Sequence, residues 1–188
     1  VQPLAGATIL VCGGAGFLGR YFTSVFAQLN RGVLRRPCRV IVCDNLITSG
    51  ALGQQRPSEQ NGFTFLSQDI IEPFDIDEPI DYIIQAAGIA SPYYYRKYPL
   101  ETLEVATLGT KQALLLGLKC KLKGFLYFSS SEIYGDPDPR HVPTPESYRG
   151  NISCIGPRAC YDESKRLGET LCTIFHELHG IPIKIVRP

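Results

Sequence analysis

Long apolar runs are missing from this 188-residue sequence: none approaches the length needed to span a bilayer. A basic-then-apolar leader is missing from its start as well. The expectation is a chain that neither enters a membrane nor is exported. An excess of charge is absent too. Nineteen basic against 18 acidic side chains leave a net charge of +1, so no polyanionic partner such as nucleic acid is expected. No C-x-x-C pair occurs among Cys12, Cys38, Cys43, Cys120, Cys154, Cys160 and Cys172, which argues against zinc. Several of these cysteines lie in apolar runs and read as small buried hydrophobes. Their odd number, without a secretion signal, fits a reducing, cytoplasmic compartment. His176 and His179, near a helix end, read as surface residues favouring the helix dipole and not as metal ligands; no metal is expected. Repeats and low-complexity segments are absent. At 44% hydrophobic and 20% charged, the chain has the composition and length of one soluble domain with a real core.

One stretch organises what is present. Ala7 to Val11 is apolar, Cys12-Gly13-Gly14-Ala15-Gly16-Phe17-Leu18-Gly19 is glycine-rich, and Phe17 to Leu29 is amphipathic. That is strand, tight turn, helix. The glycines read as Gly14-x-Gly16-x-x-Gly19 or as Gly13-x-x-Gly16-x-x-Gly19, with one physical demand in both. The turn needs backbone angles that glycine adopts cheaply. A pyrophosphate must approach bare backbone, and the helix start at Phe17 and Leu18 offers free N–H groups and a positive dipole end. In strand–turn–helix context the pattern points to a bound dinucleotide.

Taken in order, the chain alternates. Strands are expected at Ala7–Cys12, Arg39–Cys43, Phe63–Leu66, Asp81–Ile84, Phe125–Ser129 and Ile183–Val186. Helices are expected at Gly16–Arg31, as one long element at Pro99–Lys119 with Pro99 in its first turn, and at Arg158–His179, ended by Gly180-Ile181-Pro182. Thr48 to Gly62 reads as a polar loop with a short helical turn. Ser91 to Tyr98, aromatic and basic between Pro92 and Pro99, reads as a loop. The alternation predicts an α/β fold: a doubly wound, Rossmann-type parallel sheet with helices on both faces, over residues 1–188.

Two features add chemistry. Asp44 closes the second strand, where a carboxylate accepts hydrogen bonds from the adenosine ribose hydroxyls and repels a 2′-phosphate. Asn45 follows it, so NAD is favoured over NADP. Tyr161 and Lys165 stand one helical turn apart on one face. A free phenol, with a pKa of about 10, is a poor base at neutral pH. Lys165 and a cationic nicotinamide ring together could lower it, and the implied role is a base that takes a proton from a sugar hydroxyl as hydride leaves.

With these pieces assembled, the chain resembles the extended short-chain dehydrogenase/reductase superfamily that acts on nucleotide sugars. The resemblance rests on Gly13-x-x-Gly16-x-x-Gly19, Asp44-Asn45, Asp69-Ile70, Ala86-Ala87, Ser129-Ser130-Ser131-Glu132-Ile133-Tyr134-Gly135 and Tyr161-x-x-x-Lys165. Within it the chain is most similar to the UDP-glucuronate decarboxylases, through Gln68-Asp69-Ile70-Ile71-Glu72-Pro73, Ala90-Ser91-Pro92-x-x-Tyr95 and Ile155 to Arg166. The resemblance implies that Asp69 binds the adenine amino group and Ile70 its ring, while Ala86 and Ala87 let the cofactor pass across the strand ends. It implies that Ser130 holds the C4 hydroxyl, that Tyr161 is base and later acid, and that Lys165 also holds the nicotinamide ribose. Glu132 acts near C5 of the sugar, and Ser91 and Tyr95 line the sugar side. Gln85 stands where relatives often carry His, and Ala106 where they usually carry Asn.

The pair after Ser130 selects the reaction implied. A 4,6-dehydratase would carry Asp-Glu there, and a 4-epimerase commonly lacks the Glu; Ser131-Glu132 is the decarboxylase-like combination. The alternatives are a related epimerase or dehydratase, or a non-catalytic NAD-binding module, which Ala106 motivates. The resemblance further implies a UDP-sugar substrate, a homodimer paired through the helices at Pro99–Lys119 and Arg158–His179, and a longer enzyme whose C-terminal substrate domain follows these residues.

Overall fold

The structure is a computed structural model that describes residues 1–48 and 62–188. The polar loop expected from Thr48 to Gly62 lies outside the described residues except at its ends. Six strands are present: β1 Thr8–Cys12, β2 Arg39–Asp44, β3 Phe63–Ser67, β4 Tyr82–Gln85, β5 Gly124–Phe128 and β6 Ile183–Val186. They form one sheet in the order β3-β2-β1-β4-β5-β6, parallel at every pairing. The helices are α1 Phe17–Asn30, α2 Pro92–Lys97, α3 Pro99–Glu104, α4 Thr110–Cys120 and α5 Ala159–His179. The fold is the doubly wound one that the alternation predicts.

Side chains alternate along a strand, and here both faces are covered, so the strands carry unbroken apolar runs. Leu10, Cys12, Ile83, Phe125 and Tyr127 pack with Ala113 and Leu114 of α4 and Cys172 and Phe175 of α5. On the opposite face Ile9, Val11, Val40, Val42 and Ile84 pack with Phe26 of α1. Each large apolar side chain so buried contributes roughly 1.5–3 kcal/mol. Cys12, Cys38, Cys43 and Cys172 are buried free thiols, and burial pushes Cys172 up to about 12. Cys154, by contrast, is exposed. His176 and His179 are exposed; the first sets Nδ1 2.7 Å from the Ile181 carbonyl, and the second packs its ring on Phe175. Among the described residues no helix is long and apolar enough to cross a membrane.

Two expectations are corrected. Ser91 to Tyr98 is not a loop: Pro92 takes the first helical position of α2, and Pro99 starts α3 directly afterwards. A proline there costs no hydrogen bond, because the first N–H groups of a helix lack partners in any case. The long helix expected from Pro99 is also divided. A π-helical turn, Val105–Gly109, separates α3 from α4. Ile70 fills the space beside Gly109, where a Cβ would lie 2.8 Å from its side chain.

The order of strands places a switch point at β1 and β4. Chain segments leave these neighbours toward opposite sides of the sheet, which opens a crevice beyond their C-terminal ends.

Candidate active site

The crevice is a cavity of about 330 Å³. Its floor is the glycine turn. Gly13 has φ of +73° and donates its N–H to the Cys43 carbonyl at 2.8 Å. A Cβ on Gly13 would lie 2.6 Å from the backbone nitrogen and Cα of Ala87, so β1 and β4 meet backbone to backbone. Gly19 packs α1 on the turn: a Cβ there would lie 2.5 Å from Cα of Gly14. Gly16 is the residue before α1 and has no side chain to cap it.

The candidate cofactor residues gather here. Gly13, Gly16, Phe17, Leu18, Asp44, Asn45, Asp69, Ile70, Ala86 and Ala87 line the cavity, with Gly19 behind them, and Ser91, expected on the sugar side, lines it as well. Asp44 accepts hydrogen bonds from the N–H groups of Ala15 at 3.0 Å and Leu46 at 2.8 Å, which ties the glycine turn to β2. Asn45 donates to Asp69 at 2.7 Å, and the other Asp69 oxygen accepts from the Ile71 N–H at 3.1 Å. Ile70 is buried. Gln85 donates to the Thr110 hydroxyl at 3.1 Å and accepts from the Ala87 N–H at 3.3 Å, holding the start of the Ala86-Ala87 stretch.

A second group gathers where β5 ends. Ser130 caps a 3₁₀ turn, Ser131–Tyr134, and accepts from the Glu132 N–H at 3.2 Å. The first turns of α5 bring Tyr161 and Lys165 beside it. The Tyr161 ring is 8% exposed and stacks on Tyr95, with centroids 5.6 Å apart and planes at 16°. Lys165 is buried and donates to the Phe128 carbonyl at 2.7 Å. Its Nζ is 5.9 Å from the centre of the Tyr161 ring. Gly88 makes room for it, since a Cβ there would lie 3.3 Å from Nζ. Burial lowers the Lys165 ammonium to about 8, so it remains charged at neutral pH.

The phenol behaves otherwise than the sequence alone suggests. Burial pushes Tyr161 above its ordinary value, against the pull of a hydrogen bond with Ser130 and of the Arg158 charge. The Lys165 ammonium is turned to the Phe128 carbonyl, so desolvation of the ring decides the direction. Tyr95 differs as well. Its ring is 2% exposed and lies behind Tyr161, whereas Ser91 is exposed and faces the dinucleotide cavity. Glu132 forms an ion pair with Arg158. With Ser131, Tyr134 and Arg187 it lines a wider hollow beyond β5 and β6.

The sequence alone does not mark two side chains at the site. Tyr94 lines the cavity from α2. The Ser91-Pro92 pair, a helix-start signal, could have placed it. Arg158 precedes Tyr161 by three positions, a spacing that puts both on one side of a helix start.

Residues 9–188 match the NAD dependent epimerase/dehydratase family. The chain belongs to that family. It is 37% identical over 179 residues to UDP-glucuronic acid decarboxylase 5 of Arabidopsis thaliana, a match covering 95% of this chain and 49% of that protein. It is 35% identical to UDP-glucuronic acid decarboxylase 1 of Xenopus tropicalis, over 95% of this chain and 40% of that protein. Among solved structures it is similar to the epimerase Mth375 of Methanothermobacter thermautotrophicus, with a TM-score of 0.78 and 27% identity, over 99% of this chain and 52% of that one. The chain thus spans about half the length, or less, of the curated relatives it matches. The cavity fits the family's cofactor on its own features. Side-chain-free backbone lies where a pyrophosphate must approach, and a carboxylate stands at the end of β2.

Proposed function

We propose that the full-length protein converts UDP-glucuronate to UDP-xylose through transient oxidation at C4. The observation that carries this reading is the gathering of Ser130, Tyr161 and buried Lys165 at the end of β5, beside the Ser131-Glu132 pair. The names of the curated relatives support it.

In this reading the amides of Phe17 and Leu18, at the uncapped start of α1, receive the pyrophosphate. Asp44 takes the adenosine ribose, and Asp69 and Ile70 the adenine. Ala86 and Ala87 carry no side chain that would block the way across β4. When bound, NAD would supply reversible hydride chemistry at C4. Ser130 holds the C4 hydroxyl and Tyr161 removes its proton. Lys165 keeps a positive charge behind that step. The C4 ketone so formed stands β to the C5 carboxylate. That carboxylate leaves as carbon dioxide because the ketone accepts the electrons as an enolate. C5 then takes a solvent-derived proton, with Glu132 acting near it, and Tyr161 returns its own proton to the C4 oxygen as the hydride comes back to C4.

The mass of the product formed from UDP-glucuronate by the full-length protein tests this reading. Loss of carbon dioxide is expected. An unchanged mass would point to a 4-epimerase, and loss of water to a dehydratase; the solved neighbour is named an epimerase. No turnover of any nucleotide sugar with NAD still bound would point to a non-catalytic module.

Two further proposals carry their own tests. A second negative charge beside Asp44 is unfavourable, so NAD should bind more tightly than NADP, and Asp44→Asn should narrow the difference. Equal or tighter NADP binding would remove Asp44 from the ribose. Exposed Leu108 and Leu115, and exposed Leu167, Ile174 and Leu178 on α5, supply apolar surface for a homodimer. Sedimentation at micromolar concentration should give the dimer mass, and a monomer mass would contradict it.

A further inference from the structure

Arg158 lies at the junction of the sugar-side residues. It is the residue before α5, and its Nη2 pairs with Glu132 on the turn after β5. Its Nε is 3.7 Å from Asp162 on the first turn of α5. The Arg158 and Glu132 side chains are 46% and 40% exposed, so the pair is open to an incoming ligand. Asp162 is buried, and its Oδ1 has no hydrogen-bond partner in the described structure. Two carboxylates therefore stand beside Ser130 and Tyr161. Two other cations near them are engaged elsewhere: Lys165 donates to the Phe128 carbonyl, and Arg187, which lines the same hollow as Glu132, pairs with Glu169.

A sugar that carries its own carboxylate meets this arrangement with like charge. Two like charges a few ångströms apart in a partly desolvated site repel strongly unless a cation stands between them. The guanidinium is suited to that place. It is planar, permanently charged, and presents donors on more than one edge. Nη2 serves Glu132 and Nε faces Asp162, while Nη1 makes no hydrogen bond in the described structure.

We infer that Arg158 is a specificity-determining residue: it neutralises Glu132 and turns a free N–H edge to the ligand, so that the site accepts an acidic nucleotide sugar in preference to a neutral one. The inference rests on the nucleotide-sugar site proposed above, and it adds a determinant of which sugar enters.

Equilibrium binding tests it without requiring decarboxylation. Affinities for UDP-glucuronate and for UDP-glucose are measured by calorimetry on the NAD-loaded full-length protein, in a Tyr161→Phe background that blocks turnover. In that background Arg158→Gln should lower the ratio of acidic to neutral affinity about tenfold or more at low salt. Arg158→Lys, which keeps the charge, should recover most of it. Glu132→Gln should move the ratio the other way, because it removes the repelling charge and leaves the guanidinium. An unchanged ratio in Arg158→Gln would overturn the inference. So would an equal loss of both sugars, the mark of a merely structural arginine, or a fall in Glu132→Gln. Release of carbon dioxide is scored separately on the otherwise unaltered protein. Ratios that shift as stated without carbon dioxide would refute decarboxylation and leave Arg158 standing. Carbon dioxide with unmoved ratios would do the reverse.

Discussion

Tyr161→Phe in the full-length protein should leave NAD binding intact and abolish hydride transfer. The phenol oxygen is the group positioned against Ser130, and removing a positioned base costs about 10²–10⁴-fold in rate. The ring itself stays, so its stacking on Tyr95 and the local packing are retained. NAD titration should therefore match the unaltered protein, while no NADH absorbance develops with UDP-glucuronate. Near-normal turnover would require another base. A pH profile adds a second readout. Burial holds the phenol above its ordinary value, so its ionised fraction, and with it the oxidation rate, rises with pH from neutrality. Lys165 loses its proton near 8, which removes the supporting charge. The rate should accordingly climb above pH 7 and level off beyond about 8, where loss of the Lys165 charge offsets the growing phenolate fraction. Glu132→Gln should spare the oxidation and slow the steps after it.

The second large effect is structural. Gly13→Ala should remove NAD binding and destabilise the domain by about 2–4 kcal/mol, from a left-handed backbone that alanine resists and from overpacking. In a domain of this size that is roughly 5–15 °C in Tm. The new Cβ would lie 2.6 Å from backbone atoms of Ala87, which no side-chain rotation can relieve. Gly32→Ala is the control, because nothing lies within 4 Å of a Cβ there. Equal melting of Gly13→Ala and Gly32→Ala, with NAD bound by both, would show that the close approach of β1 and β4 is dispensable.

Much of this arrangement is legible in the sequence for a local reason. The turn of Gly13, Gly16 and Gly19 follows from what backbone angles and close approach demand, and the alternation of strand and helix follows from periodicity. Asp44 is legible from its position at the end of an apolar run, which is the end of β2. What could not be read depends on contacts between distant segments. The stacking of Tyr95 on Tyr161 joins residues far apart in the chain, and it turns Tyr95 inward although its neighbour Ser91 faces the cavity. The π turn at Val105–Gly109 breaks a pattern that reads as one continuous helix, because leucine spacing tolerates a single local slip. The six-residue α2 is too short to show a period, and prolines at each end made it resemble a loop. The upward push on Tyr161 and the engagement of Glu132 by Arg158 are set by burial and geometry, which residue types alone do not give.

The central claim is that oxidation at C4 is transient and that the C5 carboxylate is lost in between. It is tested most directly with UDP-glucuronate deuterated at C4, supplied to the full-length protein with bound NAD. The account predicts a product lighter by carbon dioxide that keeps deuterium at C4, since the same hydride leaves and returns. A product of unchanged mass, one lighter by water, or one that has lost the C4 deuterium to the medium would contradict it.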